Sequence, residues 1–102
     1  MSADSSNYSN DDATSNAKDS LLEFPCSFPI KAFGTADEDF DALVVSLVRR
    51  HAPDVGDAAV RRRLSNGGRY MSVTVTINAT SRAQLDAIYQ ELTDESRVVM
   101  AL

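Results

Sequence analysis

The side chains that could carry out acid–base or nucleophilic chemistry are few, because the chain holds one histidine, His51, and one cysteine, Cys26. A nucleophile needs a base within hydrogen-bond reach, and the base needs a third group that orients it. His51 stands beside Arg50 in the last turn of a predicted helix, where a cation complements the helix dipole or caps free carbonyls. For Cys26 we expect a packed or idle thiol, with a redox role or a cysteine–histidine pair as the alternative. The chain is therefore not expected to be an enzyme.

Metal and phosphate chemistry lack the motifs that they usually need. A structural zinc site normally takes four Cys or His ligands, whereas the chain offers only His51 and Cys26. The four acidic residues between positions 37 and 41 have mixed helical phases, which indicates a solvated helix start and not a calcium loop. No GxxxxGK[ST] motif for phosphate is present. We expect neither a metal nor a cofactor.

Length and composition are those of one small globular domain, with 102 residues of which 43% are hydrophobic. The net charge of −5 argues against a protein that mainly grips the phosphate backbone or an anionic membrane. No apolar run is long enough for a transmembrane helix, and the N-terminus lacks the pattern of a secretory signal. A single cysteine fits a reducing compartment, so we expect a cytoplasmic protein without a membrane partner.

Residues 1 to 20 differ in composition from the rest of the chain. They contain six Ser, three Asn and four Asp, and Lys18 is their only base. Such a segment buries too little apolar surface to offset the entropy of ordering it, and we expect it to be disordered. It is either a regulatory or interaction segment or a solvated extension. Residues 21 to 102 carry nine bases and eleven acids and form the predicted domain.

The first strand and helix of the domain are marked by local signals. Strand one is predicted for residues 28 to 33, with Gly34 ending it. Helix one follows, because Thr35 and Glu38 have the spacing of a capping box. Pro53 stops the helix. Its apolar stripe consists of Phe40, Leu43, Val44, Leu47 and Val48.

A hairpin and a second helix follow. A short strand at residues 59 to 64 is joined to a longer one at 69 to 79, since the link between them contains Asn-Gly. The longer strand alternates between apolar and polar residues, so one face is buried and the other is wet. Helix two starts at Ser81, with Gln84 completing a second capping box. Its stripe consists of Leu85, Ile88, Tyr89 and Leu92.

With a fourth strand at residues 97 to 102, the order of elements is β-α-β-β-α-β. Two amphipathic helices need an apolar sheet face, and the third strand supplies one. Right-handed crossovers then favour an α+β ferredoxin-like fold, a two-layer sandwich with a four-stranded antiparallel sheet. The helices cover one face of the sheet, and the other face stays open.

The open face is expected to be polar and locally basic, and its residues are candidates for contact with a partner. They are Lys31, Arg61, Arg63, Arg69, Tyr70, Thr74, Thr76 and Asn78. RNA-recognition domains share this order of elements and stack bases on aromatic residues of the same face. Weak single-stranded RNA binding through the arginines and Tyr70 is therefore an alternative function. Nucleic acid is the less favoured partner, because Tyr70 is the one aromatic residue that the third strand offers on that face, where Thr74, Thr76 and Asn78 replace stacking rings.

The two edges of the sheet are further candidates, because an edge strand can pair with a strand of a partner. Strands two and four should lie at the edges. The arginines at 61 to 63 either protect the edge at strand two against pairing or take part in pairing with a partner strand there. Residues 98 to 102 carry no charged side chain, which makes that edge the better candidate for self-association or protein docking.

Residues 21 to 102 resemble the YbeD-like family, small bacterial proteins of unassigned function. The matching stretches are residues 21 to 25, 50 to 53, 68 to 80 and 98 to 102, together with Gln84 and Tyr89. The acidic N-terminal segment and the arginines at 61 to 63 depart from the family pattern. The resemblance implies a ferredoxin-like fold close to ACT regulatory domains, which bind small metabolites at interfaces between paired modules. Family members are often encoded near lipoate-assembly enzymes, which suggests a metabolic partner. The resemblance supplies no catalytic residue.

ACT-like modules tend to hold their ligand near the loop after strand one. In this chain the corresponding candidate ligand-binding residues are Gly34, Thr35 and Asp37. Glycine permits close approach of the backbone and a positive φ, and free N–H groups at a helix start can receive a carboxylate. The alternative is that Gly34 makes a turn and Thr35 caps the helix. The sequence thus predicts a small, non-catalytic regulatory or adaptor module that senses a metabolite or docks a metabolic enzyme.

Overall fold

Four strands and two helices follow one another in the computed structural model, which describes residues 22–102. The elements are β1 (Cys26–Thr35), α1 (Phe40–Arg49), β2 (Val60–Leu64), β3 (Tyr70–Ala79), α2 (Arg82–Asp94) and β4 (Val98–Ala101), with a 3₁₀ turn at Asp57–Ala59. The expectation of disorder for residues 1 to 20 falls outside the described residues. No helix among residues 22–102 is long and apolar enough to cross a bilayer.

The strands form one antiparallel sheet in the order β2-β3-β1-β4. Both helices pack on one side of it, and β2 and β4 are its edges. The α+β ferredoxin-like fold predicted from the sequence is therefore confirmed. A bulge between Phe33 and Gly34 shifts the register of β1 against β4, so that Val99 has no partner in the pairing.

The core lies between the sheet and the helices, because alternate residues of each strand point to opposite sides. On β1, Ile30 and Ala32 lie opposite Val75 and Val73 of β3, and all four are fully buried. The helical stripes meet this surface as predicted. The buried helix residues are Phe40, Val44, Leu47 and Val48 on α1 and Leu85, Ile88 and Leu92 on α2.

The hairpin and the second helix cap are confirmed in their local chemistry. Gly67 and Gly68, between β2 and β3, both have positive φ, a conformation that only glycine adopts at little cost. At the start of α2, the hydroxyl of Ser81 accepts a hydrogen bond from the backbone N–H of Gln84 at 3.1 Å. The Gln84 side chain in turn accepts from the N–H of Thr80 and donates to the carbonyl of His51, which ties α2 to the end of α1.

The predicted capping box of helix one is wrong. Thr35 is the last residue of β1, where it pairs with Tyr70, and α1 begins at Phe40 behind Asp39, with no side-chain cap. Packing explains the later start, since Phe40 is fully buried against Gly34. Strand pairing of Thr35 and burial of Phe40 together outweigh a capping interaction of about 1 kcal/mol.

Candidate functional site

The open face of the sheet is built from rows of side chains that cross the strands. In one row, Arg63 lies opposite Ser72, Ser72 opposite Phe33, and Phe33 opposite Met100. In the next row, Arg61 lies opposite Thr74, Thr74 opposite Lys31, and the backbone of Lys31 exchanges two hydrogen bonds with Leu102. Residues opposite one another in a ladder share a face, so each row presents its side chains together.

A shallow cavity of about 270 Å³ opens on this face beside the β2–β3 hairpin. Ser72 lies between Arg63 and Phe33 in this row. Because the serine side chain is small, an open space remains between the two larger side chains. The lining residues are Lys31, Phe33, Arg63, Leu64, Ser65, Tyr70, Met71 and Ser72. Tyr70 is 49% exposed, and Met100, one pairing step beyond Phe33, is 51% exposed. We call Lys31, Phe33, Arg63, Tyr70, Ser72 and Met100 the open-face patch.

The open-face patch is electropositive. Every charged residue of the four strands is basic: Lys31, Arg61, Arg62 and Arg63. The side chains of Lys31 and Arg63 make no hydrogen bond or ion pair within residues 22–102. Arg62, on the opposite face of β2, donates to Asp41 of α1 at 2.8 Å. Unpaired cations with no acid on their own strands attract anionic groups.

The structure brings together three of the residues predicted for the open face, namely Lys31, Arg63 and Tyr70. Arg61 and Thr74 lie in the row beside them, and Arg61 donates to the carbonyl of Ala58 at 3.1 Å. The others lie apart from the cavity. Thr76 and Asn78 are opposite Pro29 and Ser27 at the far end of the face, and Arg69 precedes β3.

Two residues of the open-face patch, Phe33 and Met100, were not among the sequence candidates. Tyr70 is the aromatic residue that β3 contributes to the open face, as predicted, and Phe33 of β1 adds a second aromatic residue there. The alternation of residues along β1 already indicated that Phe33 lies on the open face. Lys31 was predicted to face outward, and a side chain two residues along a strand faces the same way. Placing Met100 required the register of β4 against Phe33, which local sequence does not reveal.

The predicted ligand-binding residues lie at the end of β1 and in the following loop. Gly34 is buried within β1, and its backbone is not among the positive-φ glycines. A Cβ there would meet the ring of Phe40 and the backbone oxygen of Arg97. Neither the 270 Å³ cavity nor the larger groove described below is lined by Gly34, Thr35 or Asp37. Ligand binding by these three residues stays a prediction.

The acidic loop beside them is held by Arg97. Its guanidinium donates to Asp39 at 2.7 Å and to Asp37 at 3.4 Å. The hydrogen bond and the positive charge of Arg97 lower the pKa of Asp39, and the same hydrogen bond raises the pKa of Arg97. These pairs fasten the residues before β4 to the residues before α1. The acids that would repel an anionic ligand are thus partly neutralised.

The two candidate catalytic side chains occupy separate elements. Nε2 of His51 lies 3.0 Å from Oε2 of Glu91 on α2, and Arg50 donates to the other oxygen of Glu91 at 2.9 Å. The His51 hydrogen bond and the charge of Arg50 lower the pKa of Glu91. Cys26 is a free, half-buried thiol at the first position of β1, opposite Ala79. Within residues 22–102 no group of three His, Cys, Asp or Glu side chains could hold a metal ion.

A larger groove, about 720 Å³, runs between α1 and β2 on the helix side of the sheet. Its arginines are engaged with neighbours. Arg62 pairs with Asp41, Arg50 pairs with Glu91, and Arg49 donates to the carbonyl of Val55 at 2.9 Å. Because these cations are already paired, the groove is a weaker anion attractor than the open-face patch.

Comparison with known proteins places the chain in a family. A family model described as "Protein of unknown function (DUF493)" matches residues 19–102. The chain belongs to the DUF493 family. A DUF493 relative, the UPF0250 protein of Nitrosomonas europaea, is 47% identical over 85 residues, which cover 83% of this chain and 98% of that protein. The UPF0250 protein of Chromobacterium violaceum is also 47% identical, over 86% of this chain and 99% of that protein. The resemblance to the YbeD-like family is thereby confirmed.

A solved structure shows the same fold at low sequence similarity. The solution structure of protein HP0495 from H. pylori superposes with a TM-score of 0.61 at 14% identity and covers 80% of this chain and 86% of that one. At this identity the likeness concerns the fold alone. Neither the DUF493 description nor the names of the relatives state an activity.

Proposed function

We propose that this DUF493 protein is a small, non-catalytic regulatory or adaptor module of the cytoplasm, which docks a partner protein on the open face of its sheet. The observation that carries the proposal is the open-face patch. It combines exposed apolar side chains with two cations, Lys31 and Arg63, that have no partner within residues 22–102. Apolar anchors bordered by charge are the usual composition of a protein interface.

The apolar border of the patch favours a protein as the partner. Met100 is 51% exposed and Leu102 is 62% exposed, and they lie beside Phe33 and Lys31 on the same face. Aliphatic side chains in this position bury well against another protein, whereas they offer little to a phosphate backbone. The adjacent edge of β4 adds unpaired backbone groups, which a partner strand can pair with.

A non-catalytic role is consistent with the surroundings of His51. Its Nε2 is taken up by Glu91, and Glu91 is also bound by Arg50. A histidine held in this way acts as a link between α1 and α2. His51 therefore contributes to stability, and the open face of the sheet contributes to binding.

The test is affinity capture from the native cell extract with matched carboxylate substitutions on the open face. Met100→Glu and Arg63→Glu each place a negative charge in the open-face patch. Thr76→Glu places the same charge on the same face but opposite Pro29, away from the cavity. All three positions are exposed, so the fold should tolerate them. Circular dichroism would verify that it does.

We expect proteins captured by the wild type and by Thr76→Glu to be lost from both patch variants. With the partner in hand, calorimetry should show affinity weakened at least tenfold, about 1.4 kcal/mol. Equal capture by all four proteins would contradict the proposal. A metabolite that raises Tm of the wild type and of the patch variants alike would favour sensing at another site, and a screen of amino acids and lipoate-pathway compounds would find it.

Single-stranded RNA remains a second candidate, because Phe33 and Tyr70 put an aromatic residue on each of the two central strands of the open face. A base stacked on an aromatic ring contributes about 1–3 kcal/mol. Filter binding of a short oligouridine at low and high salt tests this function. Binding at low salt that Tyr70→Ala weakens at least fivefold would support it. Absence of binding at low salt would remove it.

A further inference from the structure

Two basic residues without partners, Lys31 and Arg63, lie together at one end of the open face. Of the nine basic side chains in residues 22–102, those of Lys31, Arg63 and Arg69 form no hydrogen bond or ion pair within the described part of the chain. Lys31 and Arg63 line the 270 Å³ cavity, whereas Arg69 lies in the hairpin link before β3 and does not line it. Asp37 and Asp39, two of the acidic residues that follow β1, pair with Arg97 instead.

The chain carries a segment of opposite charge. Residues 1 to 20 hold four Asp and one Lys, a net charge of −3, whereas residues 21 to 102 hold nine bases and eleven acids. The acids of the segment are Asp4, Asp11, Asp12 and Asp19. An anionic segment attached to a domain with an unpaired cationic surface is drawn to that surface.

The attachment point is within reach. The open-face patch begins at Lys31, five residues along β1 from Cys26, which corresponds to about 17 Å of strand. Twenty residues of extended chain span up to about 66 Å, so the segment can pass around the sheet and reach Phe33. Attachment to the domain presents the segment to the patch at an effective concentration of about 1 mM.

We infer that the acidic N-terminal segment, residues 1 to 20, binds the open-face patch of its own chain and competes there with the partner. The contacts are ionic, between the aspartates of the segment and the patch cations Lys31 and Arg63. Its role as a competitor rests on the proposed function, since a partner must use the same surface. If the segment binds with a dissociation constant near 1 mM, it occupies the patch about half of the time. Its loss then strengthens partner binding about twofold.

The experiment uses the full chain and compares the wild type with a variant in which Asp4, Asp11, Asp12 and Asp19 are all replaced by Asn. Amide spectra are recorded by NMR at about 0.02 M and about 0.5 M salt, since salt screens exposed charges. We expect the amides of Phe33, Tyr70 and Ser72 to differ between the two proteins at low salt and to coincide at high salt. The amides of Thr76 and Asn78, at the far end of the same face, serve as the internal control and should not move.

A second measurement adds a synthetic peptide of residues 1–20 to the four-Asn variant at low salt. The peptide should return the patch amides toward their wild-type positions, and it should fail to do so when the variant also carries Lys31→Gln and Arg63→Gln. Patch amides that are identical in wild type and four-Asn variant at low salt would overturn the inference, whatever partner capture shows. If Met100→Glu and Arg63→Glu leave partner capture unchanged, the proposed function is wrong, whereas binding of the segment to the open-face patch is unaffected by that result.

Discussion

A side chain at position 34 would meet the ring of Phe40, the first residue of α1, and the backbone oxygen of Arg97, and Gly34 has none. The glycine therefore lets the helix and the strand approach each other closely. This role differs from a turn or a ligand cradle, because Gly34 lies inside β1 and Phe40 fills the space above it. The identity of this residue is explained by packing between two elements.

Gly34→Ala is accordingly predicted to lower the free energy of unfolding by about 1–3 kcal/mol, because the new methyl group overpacks a closed contact. Urea denaturation measures the effect. Gly56→Ala is the matched control, since Gly56 has no neighbour within 4 Å of an added Cβ and has a φ of −102°. This control substitution should raise the free energy of unfolding slightly, by at most about 1 kcal/mol. Equal effects at the two positions would contradict the packing account.

Glu91 is the residue through which stability should respond to acid. The hydrogen bond from His51 lowers its pKa most, and the charge and hydrogen bond of Arg50 lower the pKa further. The folded protein therefore keeps this carboxylate charged at pH values where the unfolded chain has bound a proton. Its contribution is complete above the ordinary value of 4.5 and is lost as the pH falls through the lower folded-state pKa.

Glu91→Gln should make the loss of stability between about pH 7 and pH 3 shallower than in the wild type, because one linked proton is removed. Free energies of unfolding from urea denaturation at several pH values give the slope. Glu38→Gln serves as the control, since Glu38 is exposed and makes no ion pair within residues 22–102. Asp39 keeps its own contribution through Arg97, so the slope should not vanish. An unchanged slope in Glu91→Gln would refute the assignment.

At the scale of elements, the two helices begin in different ways. α2 has a side-chain cap, with Ser81 accepting from Gln84, and Gln84 reaches across to His51 at the end of α1. α1 has no side-chain cap and is positioned by the burial of Phe40 and by the Arg97–Asp39 pair. Both starts carried a capping-box pattern in the sequence, yet only one of them forms the cap.

The difference predicts unequal costs for two similar substitutions. Ser81→Ala should lower the free energy of unfolding by about 1 kcal/mol, because the first turn of α2 loses its acceptor. Thr35→Ala, at the other predicted cap, should cost less than about 0.5 kcal/mol, since its hydroxyl caps no helix and its side chain is exposed. Thermal or urea unfolding of the two variants decides the matter. A larger cost at Thr35 than at Ser81 would restore the capping role.

The elements that sequence could predict are those whose signals are local. Both apolar helix stripes, the glycine hairpin and the alternation of β3 depend on neighbours along the chain, and they are found as expected. The start of α1, the bulge at Gly34 and the place of Met100 depend on contacts between distant segments. For the candidate site, the cations and Tyr70 followed from strand phase, whereas the cavity that joins them required the register of three strands.

At the scale of the whole molecule, the sheet separates two kinds of surface. The helix side holds the buried core, and the described acidic residues all lie in helices and loops. The open side carries three of the four strand cations, Lys31, Arg61 and Arg63, and a border of exposed apolar residues, whereas Arg62 faces the helix side and pairs with Asp41. A domain with nearly balanced charge thus has one basic face, and net charge alone conceals it. This separation is what makes the open face the binding surface in the proposed function.

The two-sided sheet is tested most directly by one pair of isosteric substitutions on adjacent residues of β3. Val75 is fully buried against the helices, and Thr76 is exposed on the open face. Val75→Thr places a hydroxyl among the apolar side chains of the core and should cost about 1–3 kcal/mol. Thr76→Val makes the reverse exchange in water and should change stability by less than about 0.5 kcal/mol. The two side chains have the same shape, so a difference between the variants measures the environment of each face. Equal costs would mean that the two faces are not separated as described, and the assignment of binding to the open face would lose its foundation.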